Sequence, residues 1–393
     1  MSLSGLVERK IHSLLEKTKY GELTVTFPNK KTSFFKGTHK GPEANIVVKK
    51  WSALTQTLLQ GGIGFGESYI DKKWETTDLI PIIEFSALNR QEFTGLYNGN
   101  RGFDFTGNLL TKLNFNSLRG SKKNIYKHYD LGNDFYNLWL DPSMTYSSAL
   151  YHNEKESLQL AQSNKYERIL GELGSSCQNI LEIGCGWGGF AEKAGKTGLK
   201  VDGITISPAQ AIYAKERMQE MNLLGSVDIR IEDYREIHGS YDAICSIEMF
   251  EAVGREYWST YFKQLKRLLS NKGRAVIQTI TVQDELFEEY VKGADFIRKH
   301  IFPGGLLPSK KVFEKCAEDN GLKVTNKHDF GKDYGRTTEE WLRNFNNVLD
   351  KLSQKGFDEA FQRKWQFYLA ACAGMFYAKK NSVWQFTLEH QDC

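Results

Sequence analysis

The 393 residues carry 52 Lys and Arg against 48 Asp and Glu, a net charge of +4, and 40% hydrophobic residues, a composition that excludes low-complexity and collagen-like chains. The length expects two domains, or one with a substantial appendage, and the lack of any run of eighteen apolar residues argues against a membrane-spanning helix. Six cysteines (Cys177, Cys185, Cys245, Cys316, Cys372 and Cys393) form no C-x-x-C pair or metal-like cluster, so no structural metal is expected and a reducing cytosol fits.

At the start, Leu6, Val7, Ile11, Leu14 and Leu15 recur at helical spacing, while Glu8 and Glu16 argue against a signal or transit peptide. The short alternating stretches LTVTF, TSFFKG and NIVVKKW then read as strands, WSALTQTLLQGG as an apolar helix and IGFGESYIDKKW as a turn-rich segment, together a small α+β unit. The polar, basic stretch NFNSLRGSKKN places a domain boundary near residues 118 and 119. Charge is uneven across it: residues 1–127 hold 19 Lys and Arg against 11 Asp and Glu, the remainder 33 against 37. A basic first part expects an anionic partner surface. Beyond NKKTSFFKGTHK no basic strip is interleaved with aromatics, so lipid headgroups are favoured over nucleic acid.

From residue 160 helices and short apolar strands alternate: a helix through SNKYERILGEL, then NILEIGCG, a helix GGFAEKAGKTG, KVDGITI, a helix PAQAIYAKERMQEM, VDIRIED, YDAICSIE, a helix YWSTYFKQLKRLLS and GRAVIQTITV. That rhythm predicts an α/β fold with a doubly wound, mostly parallel sheet and chemistry at the carboxyl ends of its strands. ILEIGCGWGGF puts Gly184, Gly186, Gly188 and Gly189 between a strand and a helix, where glycine permits a tight turn and close backbone approach to a ligand. It lacks the Gly-Lys-Ser/Thr of a phosphate loop and the acidic ribose partner of a dinucleotide site. Glu182, inside the strand just before the glycines, points instead to a ligand bearing ammonium and sulfonium charges, S-adenosylmethionine. Thr205, Ser207 and Gln210 follow where ribose hydroxyls would lie, and Glu232 with Asp233 where an adenine amino group would be met.

The segments HYDLGNDFYNLWLDPSMTYSSALY, LEIGCGWGGF, GITISPAQ, MFEAVGREYW, IFPGGLLPS and DYGRTTEEW, with GIGFGESYIDKKWE earlier, resemble the cyclopropane-fatty-acid synthase family of S-adenosylmethionine-dependent methyltransferases over nearly the whole chain. The resemblance implies a class I methyltransferase with a Rossmann-like seven-stranded, mostly parallel sheet and helices on both faces, in residues 119–393. An N-terminal α+β lipid-associated domain over 1–118 precedes it. It implies a cis double bond of an unsaturated acyl chain as acceptor, within a phospholipid of the bilayer, a cytoplasmic enzyme held peripherally on the membrane, and a homodimer. Tyr146 and Ser147 join the donor site on the same ground. The tract 284–312, with Phe287, Tyr290, Phe296, Ile301 and Phe302, is expected to roof the acyl chain, and Trp341 follows in a later region that the family brings to the pocket.

In the family, the glutamate matching Glu251 helps hold a bicarbonate ion that serves as base, together with a cysteine, a histidine and a tyrosine. Here those three positions are Ser148, Gln278 and Tyr334, so two depart. The histidine usual after the glutamate is Ala252, and the glycine usual before Met249 is Glu248. We therefore expect Glu248 to supply a protein carboxylate where relatives employ the ion, its basicity raised by apolar surroundings. Proton loss from the added methyl closes a cyclopropane; loss elsewhere gives a methylene or methyl branch, and both outcomes stay open. Two other readings compete: a small-molecule amine or phenol methyltransferase, and a lipid-binding protein that kept the fold without turnover.

Overall fold

The computed structural model describes residues 3–94 and 131–392, so the expected boundary near residue 118 lies outside them. The described residues divide into two compact units. One takes the chain up to residue 94 together with Glu289–Ile301 and Thr338–Lys380; the other takes residues 131–288, Phe302–Thr337 and the chain from Asn381 onward.

The first unit is α+β, as its sequence pattern expects. After a helix at Leu3–Leu15, strands β1 (Tyr20–Thr26), β2 (Thr32–Lys36), β3 (His39–Val48) and β4 (Trp74–Glu75) form one sheet in the order β2-β1-β3-β4. Alternating burial along β1 sends Leu23 and Val25 into the core. Residues 63–70 correct the sequence reading: they are not turns but the second half of a helix, Trp51–Ile70, interrupted only at Gly61 (φ 60°, ψ −140°). Packing overrides glycine's poor helix propensity here. Phe65 stacks on Trp74 at 4.3 Å, and a Cβ at Gly66 would lie 2.5 Å from the Phe296 ring and 2.7 Å from that of Phe367. The helix Leu79–Leu88, capped by the Asp78 side chain, packs against Glu359–Tyr377, where Gly374 allows close approach.

The second unit is the doubly wound α/β fold that the strand and helix rhythm predicts. Its strands β5 (Asn179–Ile183), β6 (Lys200–Thr205), β7 (Val227–Ile231), β8 (Tyr241–Ile247), β9 (Leu269–Val282), β10 (Leu322–Asp329) and β11 (Asn381–His390) run in the order β10-β11-β9-β8-β5-β6-β7. Strands β9, β8, β5, β6 and β7 are parallel, and β11 lies antiparallel between β9 and β10. One cluster joins Ile180, Cys245 and Val276 of the sheet to Tyr166, Ile169, Phe190, Ala214 and Met218 of three helices. A second, aromatic cluster gathers Phe250, Tyr261, Phe262 and Phe313, with Phe313 stacked on Phe386 of β11.

The strand order reverses between β5 and β8, which puts their carboxyl ends side by side at the crevice where such sheets bind ligands. The glycine turn leaves β5 at that point, and the CSIEMFEAVG segment ends β8 beside it. In the first unit, Gly374→Ala would set its Cβ 2.7 Å from Ile83 Cγ2 and 2.9 Å from the Glu84 backbone nitrogen. That overpacking costs about 1–3 kcal/mol and outweighs the gain in helix propensity. Gly62→Ala, whose Cβ meets nothing within 4 Å, gains propensity alone. Calorimetric melting should therefore drop for the first variant and hold or rise for the second.

Candidate active site

The glycine turn is built by backbone. The Gly184 and Cys185 N–H groups both donate to Ile204 O at 2.9 Å, and Gly184, Gly186 and Gly188 have φ of 84°, 54° and 80°, a region costly for other residues. A Cβ at Gly186 would meet nothing within 4 Å, so space is left beside the turn. Glu182 is 3% exposed, takes a backbone hydrogen bond from Ala191, and has an oxygen, Oε2, with no partner among the described residues. Burial pushes its pKa up to about 8, with Lys165 and Arg217 drawing it back. An orphaned, desolvated carboxylate oxygen next to a glycine turn fits a cationic ligand group.

Downstream, Thr205, Ser207 and Gln210 do come together, but as a capping network: Thr205 Oγ1 donates to Gln210 Oε1 at 3.0 Å, Ser207 N donates to Thr205 Oγ1 at 3.1 Å, and Ser207 caps the helix Pro208–Glu220. After β7, Glu232 lies 3.4 Å from Arg230 Nε, and both Asp233 oxygens accept from Arg235. Tyr146 is half-buried against Tyr136 and Trp139, with ring centroids at 5.5 and 5.6 Å.

The two glutamates that follow β8 differ in how they are held. Glu248 closes the strand in the left-handed region, φ 51°, unusual for a side chain of its size. Its Oε1 accepts from the Ser148 backbone N–H at 2.8 Å and from Gln278 Nε2 at 2.7 Å, and its Oε2 accepts from the Tyr334 hydroxyl at 2.5 Å. Ser148, Gln278 and Tyr334, far apart in sequence, thus converge on one carboxylate. The Ser148 hydroxyl itself turns away, donating to Ala149 O at 3.0 Å. Glu251 Oε1 accepts from Ile280 N at 2.5 Å and Thr279 Oγ1 at 3.0 Å, whereas its Oε2 is buried with no partner among the described residues.

Both residues are partly buried, and burial desolvates their carboxyl groups. Desolvation raises the Glu248 pKa against the pull of its Tyr334, Ser148 and Gln278 hydrogen bonds and of Lys165; desolvation and then the Glu248 charge push Glu251 up to about 8. Ionising one of the two carboxylates disfavours ionising the other. Three donors and the cation favour Glu248 as the ionised member and leave the proton on Glu251.

Lys165 is the residue that the sequence pattern concealed. Within SNKYERIL it reads as part of a solvated helix face, but it is wholly buried, donating to Ser147 Oγ at 2.7 Å with its Nζ 4.5 Å from the Tyr166 ring centroid. Burial lowers its pKa to about 7 against the attraction of Glu248, Asp141 and Glu182. Thr279 and the Ile280 backbone were likewise missed, since an apolar strand gives no sign of which N–H will face a carboxylate. The aromatics expected over the acyl chain divide between the units. Phe287 packs on Trp258 in the second, at 6.4 Å, while Phe296 packs on Phe367 in the first, at 4.7 Å, and Trp341 is buried there as well.

The family model for mycolic acid cyclopropane synthetase matches residues 116–386. The chain belongs to this family. Among curated relatives, cyclopropane-fatty-acyl-phospholipid synthase of Escherichia coli is 34% identical over 87% of this chain and 87% of its own, and tuberculostearic acid methyltransferase UfaA1 of Mycobacterium tuberculosis is 32% identical over 88% and 83%. The crystal structure of mycolic acid cyclopropane synthase CmaA1 complexed with SAH and CTAB superposes with a TM-score of 0.63, at 32% identity, over 68% of this chain and 97% of that one. This member of the mycolic acid cyclopropane synthetase family is an S-adenosylmethionine-dependent methyltransferase of the cyclopropane synthase type, and S-adenosylmethionine is its co-substrate.

The raised Glu251 pKa carries a stability signature. Folded Glu251 binds its proton more tightly than the unfolded chain does, so this contribution is complete below pH 4.5 and is lost as pH rises through about 8. Glu251→Gln, permanently neutral, escapes the loss. In urea unfolding, the variant should gain on the parent between about pH 5 and pH 8.5; stability curves that stay parallel across that window would contradict the assignment.

Proposed function

We propose that the enzyme methylates the cis double bond of an unsaturated acyl chain in a phospholipid, and that the Glu248 carboxylate removes the proton that must then leave. The observation that carries this is the seat of Glu248. The positions that the family resemblance assigns to an ion cradle, Ser148, Gln278 and Tyr334, all donate to this side chain.

When bound, S-adenosylmethionine supplies an electrophilic methyl carbon to which the alkene π pair adds as the carbon–sulfur bond breaks. We assign Glu182 to the donor's ammonium group, since its Oε2 is the buried acceptor beside the turn, with Gly184, Gly186 and Gly188 giving backbone access and Tyr146, Ser147, Thr205, Ser207, Gln210, Glu232 and Asp233 around the remainder. The acyl chain is left with a carbocation. Glu248 takes a proton from the added methyl group, and the released pair closes the ring. Tyr334 and Gln278 hold the carboxylate in place, and Glu251 stays neutral so that Glu248 can be charged. A cation this acidic needs no strong base, only one kept dry and in reach. On this reading Glu248 takes the part of a bicarbonate ion. The names of the two relatives, cyclopropane synthase and tuberculostearic acid methyltransferase, make the product the finer point; we assign ring closure because Glu248 and the glycine turn lie at the neighbouring carboxyl ends of β8 and β5.

Contact with the bilayer falls to the first unit. Phe34 on β2 is 59% exposed, and Lys30, Lys31 and Lys40, near it in sequence, are exposed as well, an apolar side chain and cations of the kind that suit anionic headgroups. Among the described residues, no helix is long and apolar enough to cross a membrane.

Incubation with methyl-labelled S-adenosylmethionine and a monounsaturated phospholipid should give upfield cyclopropane proton signals in NMR of the lipid; vinylic or branched-methyl signals would overturn ring closure, and a lipid that stays unlabelled would overturn the acceptor. Glu248→Gln should lower product formation by at least about a hundredfold while S-adenosylhomocysteine binding, by calorimetry, stays within about threefold of the parent. Phe34→Ser combined with Lys31→Glu should weaken sedimentation with phosphatidylglycerol vesicles several-fold and flatten its dependence on salt; unchanged binding would remove the assigned surface.

A further inference from the structure

Gln278 donates to Glu248 only if its amide is turned the right way, because the same side chain rotated by half a turn presents a carbonyl to the carboxylate. What sets the orientation lies further out. Gln278 of β9 stands directly across from Gln385 of β11, and both are fully buried. Gln385 Nε2 donates to Gln278 Oε1 at 3.0 Å, and Arg168 NH1, from the helix Leu158–Leu173, donates to Gln385 Oε1 at 2.8 Å. The line therefore runs Arg168, Gln385, Gln278, Glu248, with every donor pointing the same way. An amide can be reversed, but a guanidinium has only N–H donors and no acceptor, so the polarity is decided at the arginine.

We infer that Arg168 is a positioning residue for proton removal, acting through Gln385 and Gln278 to keep an N–H group on Glu248 Oε1. The inference rests on the reading of Glu248 as the base. A charge-assisted bond at the outer end polarises the amides in series and strengthens the last one. Reversal of the two amides would put a carbonyl against the carboxylate and favour its protonated form. No residue of the relay beyond Gln278 touches Glu248. The charged and titratable groups that bear on the two ends are Lys165, Glu251 and Tyr334 around Glu248, and Glu172 and His328 around Arg168. Glu172 is also held by Asn326 and Thr387, so it keeps partners when Arg168 is changed.

The test compares Arg168→Met, Arg168→Lys and Gln385→Glu with Glu248→Gln, measuring kcat, its pH profile and calorimetric S-adenosylhomocysteine binding in the full-length enzyme. Arg168→Met should lower kcat at neutral pH about tenfold and move the acid limb of the profile up by about one unit, with donor binding within about twofold. Arg168→Lys, which keeps the donor, should recover most of both. Gln385→Glu forces Gln278 to turn its N–H outward and should cost more than Arg168→Met, although the new carboxylate pairs with Arg168 and folding is kept. Profiles that coincide with the parent's in both Arg168→Met and Gln385→Glu, while Glu248→Gln is inactive, would overturn the relay and leave the base assignment standing. Turnover retained in Glu248→Gln would overturn the base itself, and donor binding that falls in step with kcat would reduce Arg168 to a structural role.

Discussion

The site turns on one side chain held against its own backbone preference. Glu248 occupies a left-handed conformation that costs a residue of this kind about 1–3 kcal/mol, and that cost is offset by donors to its carboxylate from Ser148, Gln278 and Tyr334. The family pattern has glycine at this position, which suits a backbone that must adopt positive φ. On the proposed reading, the glutamate accepts this strain in order to place a carboxylate of the chain among the three donors. The sheet makes this feasible: the order reversal between β5 and β8 sets the donor turn and the base at neighbouring strand ends, and the register of β9 against β8 brings Gln278 level with Ile247, one residue before Glu248.

Charge in the interior follows from the same constraint. Glu182 and Glu248 lie within reach of a single buried ammonium, that of Lys165, and Glu251 feels the charge of Glu248 beside it. Desolvation raises the pKa of all three carboxylates, and Lys165, with Arg217 near Glu182, opposes it. Hydrogen bonding sets a different state for each of them. Glu248 has three donors, Glu251 has two and a pKa pushed up to about 8, and Glu182 has an oxygen with no partner among the described residues. Lys165 also fixes the Ser147 hydroxyl as its acceptor, and Gln162 fixes the Ser147 carbonyl, so Ser147 and Ser148 are clasped from both sides at successive residues.

The alternation of helices with apolar strands was legible because it reports burial, which both sequence and fold obey. The glycine turn, Glu182 and the Glu248/Glu251 pair could likewise be found by their position at strand ends. Lys165, Arg168 and Gln385 could not. Lys165 and Arg168 sit on a helix whose polar residues look solvated, and only the packing of that helix on the sheet shows that one is interior and the other aimed at β11. Gln385 acquires meaning solely through its cross-strand partner, a register that no local pattern encodes. The segment 63–70 misled for a related reason: its glycines signalled turns, whereas Gly66 is there to let the Phe296 and Phe367 rings approach a helix.

The central claim, that a carboxylate of the chain has taken over from an external ion, is tested most directly by following the turnover rate against bicarbonate concentration, from carbonate-free buffer upward, for the parent enzyme and for Glu248→Gly. The account expects a flat response for the parent and, for the glycine variant, a low rate that climbs as bicarbonate is supplied. A parent enzyme that slows when bicarbonate is stripped and recovers on its return would contradict it.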